Sequence, residues 1–226
     1  MSDFINKVAV ITGASSGIGR ATAEAFAAKG ASVVLAARRE KEAAALANEI
    51  KDKGGKASYV VTDVSVALEV ERMVAHAIET FGRLDYAVNN AGIEGQFTSV
   101  AELTEEEWDR VLDINLKGTF LCLKYEARAM LAGGHGGAIV NVGSINSFLG
   151  FPYGAAYVSS KHALIGLTTS VSAEWAAQSA AKIHASLGWT AKKRAVTVEQ
   201  QPGEAKDHPE EEQPRERATG KLVCGA

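Results

Sequence analysis

Tyr157 and Lys161 lie four residues apart in the run Tyr157-Val158-Ser159-Ser160-Lys161, and Ser144 sits one short loop upstream, at the end of an apolar, strand-like stretch. On a helix, positions i and i+4 share a face, so the ammonium of Lys161 can sit beneath the phenol of Tyr157. A phenol is a poor base at neutral pH unless a cation lies close by. One ammonium at about 4 Å, in surroundings of effective dielectric about 20, supplies roughly 4 kcal/mol, enough to make the phenol a working base. The expected chemistry is proton exchange with a substrate oxygen. Taken alone, a Tyr-x-x-x-Lys pair is also what an ordinary surface helix carries, so the elements around it decide.

Those elements alternate. Lys7 to Thr12 is a β-branched run that ends in Gly13, and Arg20 to Lys29 reads as an alanine-rich helix closed by Gly30. Ser32 to Ala37 predicts a second strand and Glu40 to Lys53 a second helix, stopped by Gly54-Gly55. Ala57 to Thr62 predicts a third strand; Val70, Met73, Val74, Ala77, Ile78 and Phe81 then form the stripe of a helix packed on a sheet. Leu84 to Asn89 predicts the fourth strand. Thr104 and Glu107 have the spacing of a capping box, opening a helix expected to run on to Met130. Ala138 to Gly143 predicts the fifth strand, and the helix bearing Tyr157 follows. Apolar strands separated by helices argue for one α/β domain with a doubly wound, Rossmann-like parallel sheet. Right-handed crossovers then bring Gly13, Asp63, Asn89 and Ser144 to one sheet edge.

At that edge, Thr12-Gly13-Ala14-Ser15-Ser16-Gly17-Ile18-Gly19 links the first strand to the first helix. Glycines there allow a tight turn, let backbone approach a pyrophosphate and leave helix N–H groups facing negative charge. The end of the second strand selects the dinucleotide. An acid would bind both ribose hydroxyls and favour NAD, but the sequence offers Ala37-Arg38-Arg39 before Glu40. Two guanidiniums can clamp a 2′-phosphate and stack on adenine, so NADP is preferred; a solvated Arg pair would leave NAD open. Asp63 is placed to accept from the adenine amino group, and a capping role with Ser65 is the alternative.

Bulk properties narrow the classes. The chain has 226 residues, 46% hydrophobic, with formal net charge -3, which suits a soluble domain with a substantial core and implies no nucleic-acid partner. Cys122 and Cys224 form no disulfide framework, and Cys122 is expected to be a small buried hydrophobe. His76, His135, His162, His184 and His208 share no ligand spacing, so no metal is expected, and His162 is expected to point away from the cleft. No basic-then-apolar leader and no membrane-length apolar run is visible, which reads as cytoplasmic with no membrane partner. Phe97, Phe148, Phe151 and Tyr153 lie in segments that can line a substrate pocket or simply fill surface.

With these residues assembled, the chain resembles the short-chain dehydrogenase/reductase family from about Lys7 to about Trp175. The matching positions are the Thr-Gly-x-x-x-Gly-x-Gly loop, Asp63, Asn89-Asn90-Ala91-Gly92, Asn115, Ser144, and Tyr157 with Lys161. The resemblance implies a catalytic tetrad of Asn115, Ser144, Tyr157 and Lys161. It implies cofactor contacts from Gly13, Ser15, Ser16, Gly17, Ile18, Gly19, Arg38, Arg39, Asp63, Val64, Asn90, Ala91 and Gly92, together with Tyr157 and Lys161. It further implies hydride transfer at a substrate carbon while Tyr157 moves the proton on oxygen, Ser144 holds that oxygen and Lys161 also binds the nicotinamide ribose. Asn115, at a break in its helix, is expected to anchor a proton-relay water, and Asn89 to hold strands together. A homodimer or homotetramer paired through the Thr104 to Met130 and Tyr157 to Trp175 helices is also implied.

After Gln178 the resemblance stops. The family's apolar sixth strand, Pro-Gly turn and lid are not legible. Ser179 to Gly188 reads as continuing helix, and Gln200 to Lys221, with three of the chain's four prolines, reads as disorder. Residues 1–178 are therefore expected to form the nucleotide-binding domain and 179–226 an atypical polar tail, as if the frame or terminus departed from an ancestral enzyme near Gln178. The fifth strand is then expected to be an exposed apolar edge. Ala195 to Val198 is the only strand-like fragment there, and Pro202-Gly203 lies too deep in polar sequence to be the family's turn. Two functions follow: an oxidoreductase acting on a small alcohol, ketone or sugar-like substrate, or a dinucleotide-binding protein with little or no turnover.

Overall fold

A computed structural model describes residues 4–177 and 183–188, with side chains through residue 175. Strands β1 (Val8–Thr12) and β2 (Ser32–Ala37) are buried at every position, as β-branched runs covered on both faces must be. They join β3 (Lys56–Val61), β4 (Tyr86–Asn89), β5 (Gly137–Val142) and β6 (Ile183–Gly188) in one six-stranded sheet of order β3-β2-β1-β4-β5-β6. Every pairing is parallel. The order reverses between β1 and β4, and at such a switch point the connections leave in opposite directions and open a crevice at the strand carboxyl ends.

Helices α1 (Gly17–Ala28), α2 (Glu40–Asp52), α3 (Ala67–Phe81), α5 (Gly118–Ala132) and α6 (Ala155–Ala177) cover the two faces. Alternate residues of β1 feed opposite layers. Val8 and Val10 pack with Met73, Leu121 and Met130, whereas Ala9 and Ile11 pack with Ala23, Leu46 and Ile50. Cys122 lies in the first layer, and burial raises its thiol well above the ordinary range.

Away from the crevice, one carboxylate ties the opposite sheet edge. Asp85 accepts from the Val8 amide at 3.0 Å, from Lys7 Nζ at 3.0 Å and from Arg83 Nε at 2.7 Å. No helix among the described residues is long and apolar enough to cross a membrane.

The helix opening at Thr104 runs on past Met130 as expected, α4 (Glu105–Leu112) passing through a π-turn at Asp113–Lys117 into α5. Three expectations require correction. The capping box is half made. Thr104 Oγ1 accepts from the Glu107 amide at 3.2 Å, but the Glu107 carboxylate turns away to accept from the Gln96 amide at 2.8 Å and from Arg110. The end of the segment read as continuing helix, Ile183–Gly188, is strand β6, so the sheet runs past Gln178. Consequently β5 is no edge; it lies between β4 and β6, paired from Gly137 with Ile183 to Val142 with Gly188. A six-residue strand whose backbone partners come from a distant element leaves little local trace beside the alanine-rich stretch before it. Ala195 to Val198, Pro202-Gly203, the polar run from Gln200, His208 and Cys224 lie outside the described residues.

Candidate functional site

Gly13 starts the crevice. It sits at φ +64, and a side chain there would come within 2.8 Å of Asn90 Nδ2 and 3.0 Å of the Ala91 backbone. The loop after β1 and the turn after β4 are therefore in direct contact. Thr12 fastens them: its Oγ1 accepts from the amides of Asn90 at 2.9 Å and Ala91 at 3.0 Å, and its carbonyl accepts from Asn90 Nδ2 at 3.0 Å. Gly17, at φ +54, opens α1 with nothing within 4 Å of where a side chain would stand. Ser16 caps α1 without a side-chain hydrogen bond, and the first turn holds no acid. The first amides of α1 are thus left for an anion.

Ser16 instead receives Arg39. The guanidinium donates to Ser16 Oγ at 2.6 Å and to Ser15 Oγ at 3.0 and 3.2 Å. Arg38 reaches the other way, its Nη1 lying 4.0 Å from Asp63 Oδ2. Asp63 Oδ1 accepts from the Ser65 amide at 3.0 Å and hydroxyl at 2.6 Å, so the local capping reading holds for that oxygen. Burial pushes the Asp63 carboxyl up, but the Ser65 hydrogen bonds and the Arg38 charge outweigh it and hold the group below its ordinary value. Gly13, Ser15, Ser16, Arg38, Arg39 and Asp63, with Ala37, Thr62, Val64, Ala91 and Ile114, line a cavity of about 380 Å³.

A second cavity of about 380 Å³ adjoins it, sharing Ile18, Asn90, Gly92 and Ile93 and adding Ser144, Tyr157 and Lys161. Ser144 caps the short 3-10 turn Ile145–Ser147, its Oγ accepting from the Asn146 amide at 3.2 Å. Tyr157 and Lys161 share a face of α6, with Lys161 Nζ 5.8 Å from the Tyr157 ring centroid. Lys161 is 6% exposed and donates to the Val142 carbonyl at 2.9 Å; burial lowers its ammonium to about 8. Gly92 lies against this group, since a side chain on it would stand 3.2 Å from Asn115 Oδ1 and 3.7 Å from Lys161 Nζ.

Asn115 is buried inside the π-turn, at the helix break expected for it. Its side chain is occupied by protein: Oδ1 accepts from the Ile93 amide at 2.8 Å, while Nδ2 donates to the Ile93 carbonyl at 2.8 Å and to Ser160 Oγ at 3.0 Å. Asn89 faces the interior, its Nδ2 donating at 3.0 Å to Asn141 and at 3.0 Å to Glu126, so it ties β4 to β5 and α5. Glu126 is fully buried, and desolvation raises its carboxyl to about 8 against the opposing Asn89 hydrogen bond. His162 is exposed, with Nδ1 on the Val158 carbonyl.

The sequence reading missed Ile93, Glu94, Val142, Gly143 and Ile145, which line the second cavity, and Ser160 beneath it. Loop residues carry no periodic signal; only the position of Ile93 and Glu94 directly after Asn90-Ala91-Gly92 pointed to them. Beyond Ile145 the loops after β4 and β5 are joined. Thr98 donates to the Tyr153 carbonyl at 2.9 Å, and Phe97 meets Phe151 edge-on at 5.5 Å. Phe97, Phe148, Phe151 and Tyr153 are all exposed.

A family model described as short chain dehydrogenase matches residues 7–197. The chain is 44% identical over 176 residues to a 3beta-hydroxysteroid dehydrogenase of Mediterraneibacter gnavus, covering 78% of this chain and 63% of that protein. It is 43% identical to a cyclohexanol dehydrogenase of an Acinetobacter species, covering 76% of this chain and 68% of the relative. Thus the chain spans about two thirds of the length of the curated relatives it matches. Among solved structures, a short chain dehydrogenase/reductase from Burkholderia phymatum in complex with NAD superposes with TM-score 0.79 at 33% identity, covering 84% of this chain and 66% of that one.

Proposed function

Since the chain belongs to the short-chain dehydrogenase family, we propose that it is an NAD(P)-dependent oxidoreductase interconverting a small alcohol and its ketone. The observation that carries this reading is the adjacency of the two cavities: the one at the glycine loop and the one lined by Ser144, Tyr157 and Lys161 share Ile18, Asn90, Gly92 and Ile93. The residues fit a dinucleotide. The α1 amides lack a partner of their own side chains, and Arg39 already binds hydroxyl oxygens where a phosphate would present anionic ones. When bound, the dinucleotide supplies the hydride acceptor or donor.

The chain's own residues handle the proton and the oxygen. Ser144 lines the catalytic cavity with a hydroxyl able to hydrogen-bond the substrate oxygen. In the oxidative direction the substrate O–H proton passes to Tyr157 as the carbinol C–H leaves with its electron pair, so the C=O bond forms as both hydrogens depart. Lys161 Nζ stands 5.8 Å from the Tyr157 ring centroid and lines the same cavity, so both side chains face the place where the proton moves. Asn115 holds the Ile93 backbone in the wall between the two cavities.

NADP in preference to NAD rests on Arg38 and Arg39 at the end of β2, where no acid is available for the ribose hydroxyls before Glu40. The apolar side chains of Ile18, Ile93, Val142 and Ile145 in the lining of the catalytic cavity favour an alicyclic alcohol over a charged one. Fluorescence titration with NADP and NAD, followed by a screen of cyclohexanol, hydroxysteroids and sugar alcohols, tests the reading. Turnover that disappears in Tyr157→Phe while nucleotide affinity stays within twofold is expected. Tight binding with no turnover on any alcohol would favour the second reading, a dinucleotide-binding protein without catalysis.

A further inference from the structure

Ser160 is 0% exposed and its hydroxyl makes two contacts: it donates to the Tyr157 carbonyl at 2.7 Å and accepts from Asn115 Nδ2 at 3.0 Å. The first is the local back-bond that many helical serines make. The second crosses from α6 to the π-turn, and it fixes the sense of the Asn115 amide. Were that amide reversed, its nitrogen would oppose the Ile93 N–H and its oxygen would face a serine whose proton is already given to Tyr157. Ile93 is held at both its N–H and its carbonyl by the same amide. An unbroken chain of hydrogen bonds therefore runs from the wall shared by the two cavities, through Asn115 and Ser160, to the backbone of Tyr157.

Resting on the reading that Tyr157 exchanges the proton, we propose that Ser160 is a positioning residue: it locks the Asn115 amide and thereby couples the nucleotide-facing turn at Ile93 to the register of Tyr157. Ser160 touches no substrate. Its removal acts on the geometry of the proton transfer rather than on binding, because the cavity-lining groups themselves are retained.

The test uses the full chain and its Ser160→Ala, Ser160→Thr, Asn115→Ala and Ser160→Ala/Asn115→Ala variants, with cyclohexanol or the best alcohol of the screen and NADP. In Ser160→Ala, kcat falls about tenfold while KM and nucleotide Kd stay within about twofold. Ser160→Thr, which keeps the hydroxyl, restores most of the rate, and the double variant is no slower than Asn115→Ala, as members of one network behave. Amide exchange at Ile93 accelerates in Ser160→Ala, since the amide that holds it has lost a fixed partner. An unchanged kcat, a loss that multiplies with that of Asn115→Ala, or a parallel loss of nucleotide affinity overturns the proposal. Should Ser160→Ala fail to fold, Ser160→Cys gives the same readouts with a poorer hydrogen-bonding group. If the unaltered protein oxidises no alcohol, the catalytic reading fails on its own; Ile93 exchange then judges Ser160, and exchange unchanged in Ser160→Ala overturns it.

Discussion

Lys161 Nζ donates to the carbonyl of Val142 at 2.9 Å, so the last residue of β5 anchors the cation that stands beside Tyr157. This bond joins β5 to α6, and it is made by an ammonium that burial has brought down to about 8. Below that value the folded protein carries a buried charge at full cost; above it, up to the ordinary lysine range, the folded state has given up a proton that the unfolded chain still holds. Stability from this group therefore rises as pH climbs from about 8 towards about 10.4. In Lys161→Met that rise is expected to vanish, together with turnover. Urea midpoints of the two proteins at pH 8 and pH 10 check it, since the other lysines contribute equally to both.

Glu126 has the opposite sign. Its buried carboxyl is raised to about 8, so the folded state holds a proton that the unfolded chain releases near pH 4.5. The stability it supports is complete below about 4.5 and is lost as pH rises through about 8. Glu126→Gln, neutral throughout, is expected to flatten the fall in thermal midpoint between pH 5 and pH 8. A slope identical to that of the unaltered protein would contradict this assignment.

Arg39→Asp removes the guanidinium from Ser15 and Ser16 and puts an acid at the end of β2. Charge-assisted hydrogen bonds contribute roughly 1.5–3 kcal/mol each, so NADP affinity is expected to drop by about tenfold or more, with NAD affinity held or improved. Paired titrations decide it; equal loss for both nucleotides would remove the argument for NADP.

Asp85 sits at the sheet edge away from the crevice, which separates stability from activity. Asp85→Ala leaves the Val8 amide without its acceptor, and the cost is about 2 kcal/mol. Burial pushes the Asp85 carboxyl up, but Arg83, the Val8 amide and Lys7 outweigh it and hold it below its ordinary value. Its stabilisation is thus present above about pH 4 and lost as pH falls further, so the variant's deficit shrinks in acid. Calorimetry from pH 3 to 7 reads this, and kcat at a temperature where both proteins are folded is expected to agree within about twofold.

The order of strands and helices through α6 was legible because burial on both faces writes unbroken apolar runs, and packing on one face writes the three-and-four spacing of Val70, Met73, Val74 and Ala77. Tyr157, Lys161 and Ser144, and the glycine loop, were legible for a related reason: their spacing is fixed by a helical turn or by a strand end. Strand β6 was not, because its evidence is the backbone of β5, 46 residues earlier at the Gly137–Ile183 pair.

The sequence by itself settled residue type and local period: which segments alternate, which helix carries phenol and ammonium on one face, and that arginines rather than an acid follow β2. Tertiary structure decided everything that depends on partners distant in the chain. It spent the Glu107 carboxylate on Gln96 rather than on a cap, turned the Asn115 amide onto Ile93 and Ser160, and set Arg39 on the serines of the glycine loop. Local propensity is a sum over neighbours in sequence, whereas a hydrogen bond is awarded to whichever acceptor the folded backbone brings within about 3 Å.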